Sequence, residues 1–315
     1  MDKPHILQIG PYPEWDMERL EKQFEVHRYF EARDKAAFVA ERAGLIRGIA
    51  TRAKLGANKA LIDALPNLEI ISVYGVGYDA VDLEAAKAAG VRVTNTPDVL
   101  TGDVADLSVA MMLTASRGVI GAQDWVRSGD WQSKGSFPLQ TRVFGKRVGI
   151  LGLGRIGYEI ARRCAAFDMD VAYRNLKPKD LAEDWTFESS AEALAERSDF
   201  LFVTLTGGAA NKHVVDQKVI EALGPNGMLI NVSRATNVDE TALLEALEKK
   251  TLGFACLDVF EGEPALNPRF IALDNVLLQP HHASGTFETR KAMGKLVFDN
   301  LVAQFEGRPL PTPVI

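Results

Sequence analysis

Cysteine is scarce in this chain of 315 residues, which contains only Cys164 and Cys256. Each cysteine lies within an apolar stretch, and no close pair of cysteines has the spacing of a zinc site. We therefore expect two reduced, buried thiols rather than a disulfide, as is typical of a reducing compartment. No metal site is predicted.

Long apolar runs and an excess of basic charge are also missing. No window approaches the roughly 18 apolar residues that a membrane span requires, and the N-terminal residues do not resemble a secretion signal. Lys and Arg number 36 against 42 Asp and Glu, which gives a net charge of −6. This balance argues against nucleic acid and against an anionic membrane as partners. The expected location is the cytoplasm.

Short apolar runs alternate with helical patterns along most of the chain. The composition, with 47% hydrophobic and 25% charged residues, is typical of a folded globular protein, and the length suggests two domains. The alternation predicts parallel sheets covered by helices on both faces, an α/β fold. It breaks at Gly118–Phe144, an aromatic-rich stretch for which we expect an irregular arm that packs on another surface.

The strongest single motif has the form Gly-x-Gly-x-x-Gly and lies between a predicted strand and a predicted helix. Gly152 permits a tight turn, Gly154 lets the backbone approach a pyrophosphate, and Gly157 allows close packing of helix on strand. The helix N-terminus then offers free N–H groups to the anion. A glycine pattern alone also fits a simple strand–helix turn, but both flanks favour a dinucleotide site that includes Arg155 and Ile156.

The end of the next predicted strand indicates which dinucleotide is bound. In the Rossmann pattern, an Asp or Glu at this point binds the ribose 2′-hydroxyl of NAD. Here the strand ends in Arg174 and Asn175, and Lys177 and Lys179 follow. The segment fits either a solvated loop or a site for the 2′-phosphate of NADP. We predict NADPH as the cofactor, bound in part by Arg174, Asn175 and Lys177, with NADH as the alternative.

A second glycine pair, in Gly75-Val76-Gly77, also follows a predicted strand. It is the poorer dinucleotide candidate because no acidic residue ends a strand about 20 residues further on, where Thr94–Pro97 lies. The pair fits either a tight turn or a pair of backbone N–H groups that receives a small anion.

Three polar residues of different chemistry follow apolar strands in the second half of the chain. They are Arg234, Glu263 and His281. Singly, each fits a surface ion pair, a loop carboxylate or a loop histidine. Ligands of open α/β sheets, however, bind beyond the carboxyl ends of the strands, so the three together indicate an active site.

These segments resemble the D-isomer-specific 2-hydroxyacid dehydrogenases, and most of all the NADPH-dependent glyoxylate/hydroxypyruvate reductases within that family. The resemblance implies that Arg234 binds substrate, and that Glu263 and His281 are catalytic together with Arg234. It implies that Val76 and Gly77 bind the substrate carboxylate, and that Asp258 positions the nicotinamide. The chain departs from the family at Ala235, where glycine is usual, which leaves open an ordinary backbone or mild strain.

The resemblance also implies an architecture. Two doubly wound parallel-sheet domains are expected, with an active-site cleft between them. A flavodoxin-like substrate domain would comprise residues 1–98 and 286–315, and a Rossmann cofactor domain would comprise residues 99–285. The Gly118–Phe144 arm resembles a dimerisation segment, which implies a homodimer.

The implied activity is reduction of a small 2-keto acid, such as glyoxylate or hydroxypyruvate, to the 2-hydroxy acid. One alternative is an NAD-dependent family member acting on another 2-hydroxy acid. A second is a dinucleotide-sensing scaffold similar to corepressors of this fold, although no basic region or interaction tail favours it.

Overall fold

The structure is a computed structural model that describes residues 3–315. Contacts between Cα atoms divide it into two compact units, one formed by the chain up to Leu100 together with Ser284–Ile315, and one formed by Thr101–Ala283. These limits lie two residues from the domain limits expected from the sequence. The assignment of a role to each unit stays a prediction.

The first unit is built on a five-stranded sheet. Its elements, apart from the last helix of the chain, are β1 His5–Gln8, α1 Glu14–Gln23, β2 Glu25–Arg28, α2 Lys35–Arg42, β3 Ile46–Arg52, α3 Lys59–Asp63, β4 Ile70–Tyr74, α4 Leu83–Ala88 and β5 Arg92–Thr94. The strand order is β2-β1-β3-β4-β5 with every pair parallel. This is the flavodoxin-like order, so the fold predicted for this part of the chain is confirmed.

Side-chain caps start three of the helices given above, and Thr286 caps the last helix of the chain in the same way. Asp34, Asn58 and Asp82 each accept a hydrogen bond from the backbone N–H three residues on, at 2.9–3.0 Å. Such caps satisfy donors that the first helical turn leaves without a partner. They fix where each helix begins and hence where the preceding loop ends.

The second unit is built on a seven-stranded sheet. Its elements are α5 Thr101–Ser116, α6 Val119–Arg127, α7 Asp130–Lys134, β6 Arg147–Leu151, α8 Arg155–Ala165, β7 Asp170–Arg174, β8 Thr186–Phe187, α9 Ala191–Glu196, β9 Phe200–Val203, α10 Gln217–Leu223, β10 Met228–Asn231, α11 Glu240–Glu248, β11 Phe254–Leu257 and β12 Val276–Leu278. The final helix, α12 Phe287–Phe305, belongs to the first unit.

The order of these seven strands is β12-β11-β10-β9-β6-β7-β8, again with every pair parallel. Numbered from its own first strand, this is the Rossmann order 3-2-1-4-5-6 with one added strand. The prediction of two doubly wound parallel-sheet domains is therefore confirmed. Buried apolar residues form separate cores on the two faces of this sheet.

The prediction of an irregular arm over Gly118–Phe144 was wrong in its first half. Two short helices, α6 and α7, occupy it, and each starts after a glycine with a positive φ: 57° at Gly118 and 81° at Gly129. Glycine adopts this conformation at little cost, so the chain can turn sharply twice. Neither helix buries a residue.

Both cysteines are free and buried, as predicted. Burial raises the pKa of the Cys164 thiol to about 12 and also raises the pKa of the Cys256 thiol. Within residues 3–315, no single helix is long and apolar enough to cross a membrane; α5 and α6 reach that length only as a pair bent by 56°.

Candidate active site

Three neighbouring strands deliver the polar residues of the candidate site. β10, β11 and β12 are adjacent and parallel, so their carboxyl ends lie at one edge of the sheet. Arg234 follows β10, Glu263 follows β11, and His281 follows β12. The sheet thus places residues that are far apart in sequence beyond the same edge, where open α/β sheets bind ligands.

His281 and Glu263 form a close pair. The imidazole Nδ1 lies 2.9 Å from Oε2 and 3.1 Å from Oε1 of the carboxylate. The backbone N–H of Phe260 donates to the same Oε1 at 2.8 Å, which fixes the carboxylate in turn. His281 has a φ of 51°, a conformation that is uncommon for a residue with a side chain.

Asp258 holds the loop that carries the histidine. Its two carboxylate oxygens accept hydrogen bonds from the backbone N–H groups of His282 and Ala283, at 2.9 and 3.0 Å. The residue is 1% exposed, and burial raises its pKa, although these hydrogen bonds and the two histidines act in the opposite direction. The role expected for Asp258, positioning of the nicotinamide, stays a prediction, and the contacts add a role in shaping the His281 loop.

A polar network that the sequence analysis did not foresee surrounds Arg234. The side chain of buried Asn231 donates to the carbonyl oxygen of Arg234 at 3.0 Å and accepts from the Ser233 hydroxyl at 2.8 Å. Asn237, also buried, donates to the same hydroxyl at 3.1 Å. Two asparagines within an apolar neighbourhood were the available signal, because buried amides require partners. Ala235 has an ordinary backbone conformation, so this departure from the family brings no strain.

The glycine motif has the geometry expected of a phosphate-binding turn. Gly152 has a φ of 102°, and a Cβ at Gly157 would run into the carbonyl oxygen of Gly152. Gly154 caps α8 without any side-chain hydrogen bond, and this leaves the first N–H groups of the helix available to an anion. These features fit a dinucleotide pyrophosphate. Arg155 and Ile156 form the first turn of α8.

The end of β7 and the segment after it contain the predicted cofactor-selecting residues. The Arg174 guanidinium lies 5.7 Å from the centre of the Phe187 ring, and within residues 3–315 no carboxylate is ion-paired with it. Asn175 has another task, since its Oδ1 accepts a hydrogen bond from the Leu153 N–H at 2.7 Å. It therefore braces the glycine turn. Lys177 is exposed.

The Gly75-Val76-Gly77 turn is held by residues of the Thr94–Pro97 segment, for which the sequence predicted no such role. The Gly75 N–H donates to the Thr96 hydroxyl at 3.0 Å, and the Asn95 amide donates to the Val76 carbonyl oxygen at 2.8 Å. Gly75 has a φ of 151°. The turn is therefore fixed by hydrogen bonds, whereas anion binding by Val76 and Gly77 stays a prediction.

Metal binding has no evident site here. Within the described residues, no group of three His, Cys, Asp or Glu side chains is arranged to hold a metal ion.

Comparisons with known proteins agree with this arrangement. Residues 109–283 match the family model for the NAD-binding domain of D-isomer specific 2-hydroxyacid dehydrogenases. The chain is 44% identical to the hydroxyphenylpyruvate reductase of Plectranthus scutellarioides, over 100% of both chains.

Solved structures are similar over the same length. A 2-hydroxyacid dehydrogenase from Ketogulonicigenium vulgare is 64% identical, with a TM-score of 0.95 over 100% of this chain and 99% of that one. An NADPH-dependent glyoxylate/hydroxypyruvate reductase from Sinorhizobium meliloti, solved with NADP and malonate, is 42% identical, with a TM-score of 0.93 over 99% and 97%. This chain belongs to the D-isomer specific 2-hydroxyacid dehydrogenase family.

Proposed function

We propose that the protein reduces a small 2-keto acid, such as glyoxylate or hydroxypyruvate, to the 2-hydroxy acid with NADPH. The observation that carries this proposal is the Glu263–His281 pair, which follows strands next to the one that delivers Arg234. Reduction of a 2-keto acid requires an oriented proton donor and a cation that binds the carboxylate and carbonyl oxygens. The relatives named above, a hydroxyphenylpyruvate reductase and a glyoxylate/hydroxypyruvate reductase, support the same reaction class.

The glycine turn would hold the cofactor. Gly152, Gly154 and Gly157 with the N-terminus of α8, including Arg155 and Ile156, would accept the pyrophosphate, and Arg174 would face the 2′-phosphate, with Asn175 and Lys177 nearby. When bound, the nicotinamide supplies a hydride to the carbonyl carbon of the substrate.

Arg234 would bind the substrate and stabilise the reaction. Its planar guanidinium can donate two hydrogen bonds to a carboxylate and the adjacent carbonyl oxygen. As negative charge develops on that oxygen, the same cation stabilises it. The backbone N–H groups of Val76 and Gly77 would take the remaining carboxylate oxygen.

His281 would act as the general acid. With Nδ1 directed to Glu263, the imidazole keeps Nε2 for the proton that passes to the developing alkoxide. The Glu263 carboxylate orients the ring through this contact. In the reverse reaction the neutral imidazole would take the proton from the hydroxyl group, so alkaline conditions should favour oxidation and acidic conditions reduction.

We propose further that the protein is a cytoplasmic homodimer. The two buried, free cysteines are compatible with a reducing compartment. The arm over 118–144 exposes large apolar side chains: Val119, Ile120, Val126, Trp131, Leu139 and Phe144 are each at least 52% exposed. A surface of this kind is typical of a contact between subunits.

Turnover with each nucleotide tests the proposal. Oxidation of NADPH and of NADH is followed spectroscopically with glyoxylate, hydroxypyruvate and pyruvate as substrates. We expect turnover of glyoxylate or hydroxypyruvate with a preference for NADPH. A preference for NADH would favour the NAD-dependent alternative, and tight nucleotide binding without turnover of any 2-keto acid would favour a dinucleotide-sensing role.

A further inference from the structure

A cavity of about 320 Å³ lies within the first unit, at the carboxyl ends of its central strands. Its walls are two prolines, the aromatic rings of Tyr12, Trp15 and Tyr74, and the side chains of Arg52 and Arg290. None of these residues has a part in the reaction described above. The cavity combines rigid apolar walls with two cations, and such a combination is typical of ligand sites.

The cavity adjoins the turn that we propose for the substrate carboxylate. Tyr74 is the last residue of β4, and Gly75-Val76-Gly77 follows it directly. Arg52 is the last residue of β3 and is paired in register with Tyr74. A molecule whose carboxylate lies at this turn therefore has the cavity beside it.

The Arg52 guanidinium is the hydrogen-bond donor of the cavity that a ligand can use most readily. Within residues 3–315, the only hydrogen bond of the Arg52 guanidinium is a long one of 3.5 Å to the Pro11 carbonyl oxygen, and no carboxylate is ion-paired with it. The tyrosine hydroxyls are engaged: Tyr12 donates to a carbonyl oxygen at 2.8 Å and Tyr74 to another at 2.6 Å. The polar contribution to ligand binding thus rests mainly on Arg52.

Aromatic rings line the cavity beside the Arg52 guanidinium. The Tyr12 and Tyr74 rings lie 4.9 Å apart, centre to centre, and both line the cavity. Asp16, which is 2% exposed, accepts a hydrogen bond from the Tyr74 hydroxyl at 3.4 Å and does not line the cavity. An anion in the cavity would meet guanidinium N–H groups in a setting where ion pairing is stronger than in bulk water.

We propose that this cavity receives the far end of the substrate and selects 2-keto acids that carry a second carboxylate, with Arg52 as the specificity-determining residue. The proposal rests on the proposed function, because it extends the same substrate site. A guanidinium binds a carboxylate through two parallel hydrogen bonds, and the aromatic walls would enclose the methylene groups between the two ends of the substrate. Glyoxylate has no such tail and would leave the cavity to water.

The test compares two substrates of equal size and different charge. 2-Ketoglutarate and its 5-amide, 2-ketoglutaramate, differ only in the distal group, and glyoxylate measures the core reaction. We expect kcat/KM for 2-ketoglutarate to exceed that for the amide by about 10- to 100-fold, the range of a hydrogen bond to a charged group. Arg52→Gln should remove most of this ratio, and Arg52→Lys, which keeps the charge without the planar fork, should keep part of it.

Arg47→Gln is the matched control, since Arg47 lies on the same strand but pairs with Glu69 at the surface; the ratio should be that of the wild type. Equal use of the acid and the amide by an enzyme that reduces glyoxylate would overturn the cavity proposal and leave the proposed function intact. A higher kcat/KM for an uncharged polyhydroxy tail than for 2-ketoglutarate would also overturn it. Failure to reduce any 2-keto acid would instead overturn the proposed function.

Discussion

The Nδ1 atom of His281 lies 2.9 Å from Oε2 of Glu263, although 18 residues separate the two in the chain. Loss of the imidazole should therefore abolish reduction. We expect His281→Gln to lower kcat by about 10²–10⁴-fold, the usual cost of losing a general acid, while NADPH still binds. Stopped-flow or steady-state assays of glyoxylate reduction, with nucleotide binding measured by fluorescence, provide the check.

His282→Gln is the matched control for this variant, because His282 holds Asp258 through its backbone N–H and not through its ring. We expect the control to retain most of the activity. A severe loss in His282→Gln with near-normal activity in His281→Gln would reverse the assignment of the acid.

Arg234→Lys tests the substrate clamp. Lysine keeps one positive charge but loses the planar, two-pronged geometry that suits a carboxylate beside a carbonyl. We expect a fall in kcat/KM for glyoxylate of about 10-fold or more, equivalent to one charged hydrogen bond, divided between kcat and KM. Arg269→Lys alters a comparable bidentate pair with Glu248 at the surface and should have no kinetic effect. Unchanged kinetics in Arg234→Lys would exclude Arg234 from the site.

The choice of cofactor should depend on Arg174. A charged hydrogen bond to the 2′-phosphate contributes about 1.5–3 kcal/mol, so we expect NADPH to be preferred over NADH by roughly 10- to 100-fold, and less so at high salt. Arg174→Asp should reverse much of this preference by removing the cation and supplying an acceptor for the ribose hydroxyl. The measurement is the ratio of kcat/KM for the two nucleotides.

Lys218→Asp makes the same change of charge on the exposed surface of α10. We expect the nucleotide ratio of this variant to equal that of the wild type. Equal use of both nucleotides by the wild type would show that Arg174 does not read the 2′-phosphate.

The exposed apolar arm should determine the oligomeric state. Val126 and Trp131 are 57% and 63% exposed in a single chain, and in a dimer built on the arm they would be covered. We expect the wild type to be a dimer at micromolar concentration by light scattering, and Val126→Asp with Trp131→Ala to be a monomer. Ile271→Asp, which places a charge at another exposed apolar position, should remain dimeric. A monomeric wild type would contradict the prediction.

Asp16 should make stability depend on pH. Burial raises its pKa from 3.8 to about 6, against the opposing effect of Arg19. The folded state therefore binds the proton more tightly than the unfolded state, and the stability that this supplies is complete below about pH 4 and is lost as pH rises through about 6. A pKa shift of about two units corresponds to about 3 kcal/mol of unfolding free energy. Denaturant unfolding followed at pH 4 and pH 7 should show this loss in the wild type.

Asp16→Asn should unfold with a smaller difference between the two pH values, because the variant has no proton to lose at this position. Asp180→Asn, at an exposed position, should behave as the wild type does. An unchanged pH dependence of stability in Asp16→Asn would show that burial of the Asp16 carboxylate is not its cause.

Local pattern was sufficient for most of the architecture. Parallel strands covered on both faces are apolar throughout, and their helices carry apolar residues at helical spacing, so β6, α8 and α12 could be read from neighbouring residues alone. The turn at Gly152–Gly157 could be read in the same way, because its function depends on backbone that those residues themselves permit. The two exposed helices α6 and α7 were missed because each is short and follows a glycine, and short segments bounded by glycine are typical of loops.

The functional contacts depended on long-range pairing. The order and register of the strands determine that Glu263 contacts His281. They also determine which groups the side chains of Asn175, Asn95 and Asn237 bind. A sequence shows that a polar residue follows a strand; it does not show the partner across the sheet edge, since the partner is brought there by the packing of segments tens of residues away. The Arg52 cavity has the same origin, because β3 and β4 must pair in register before Arg52 and Tyr74 line one cavity.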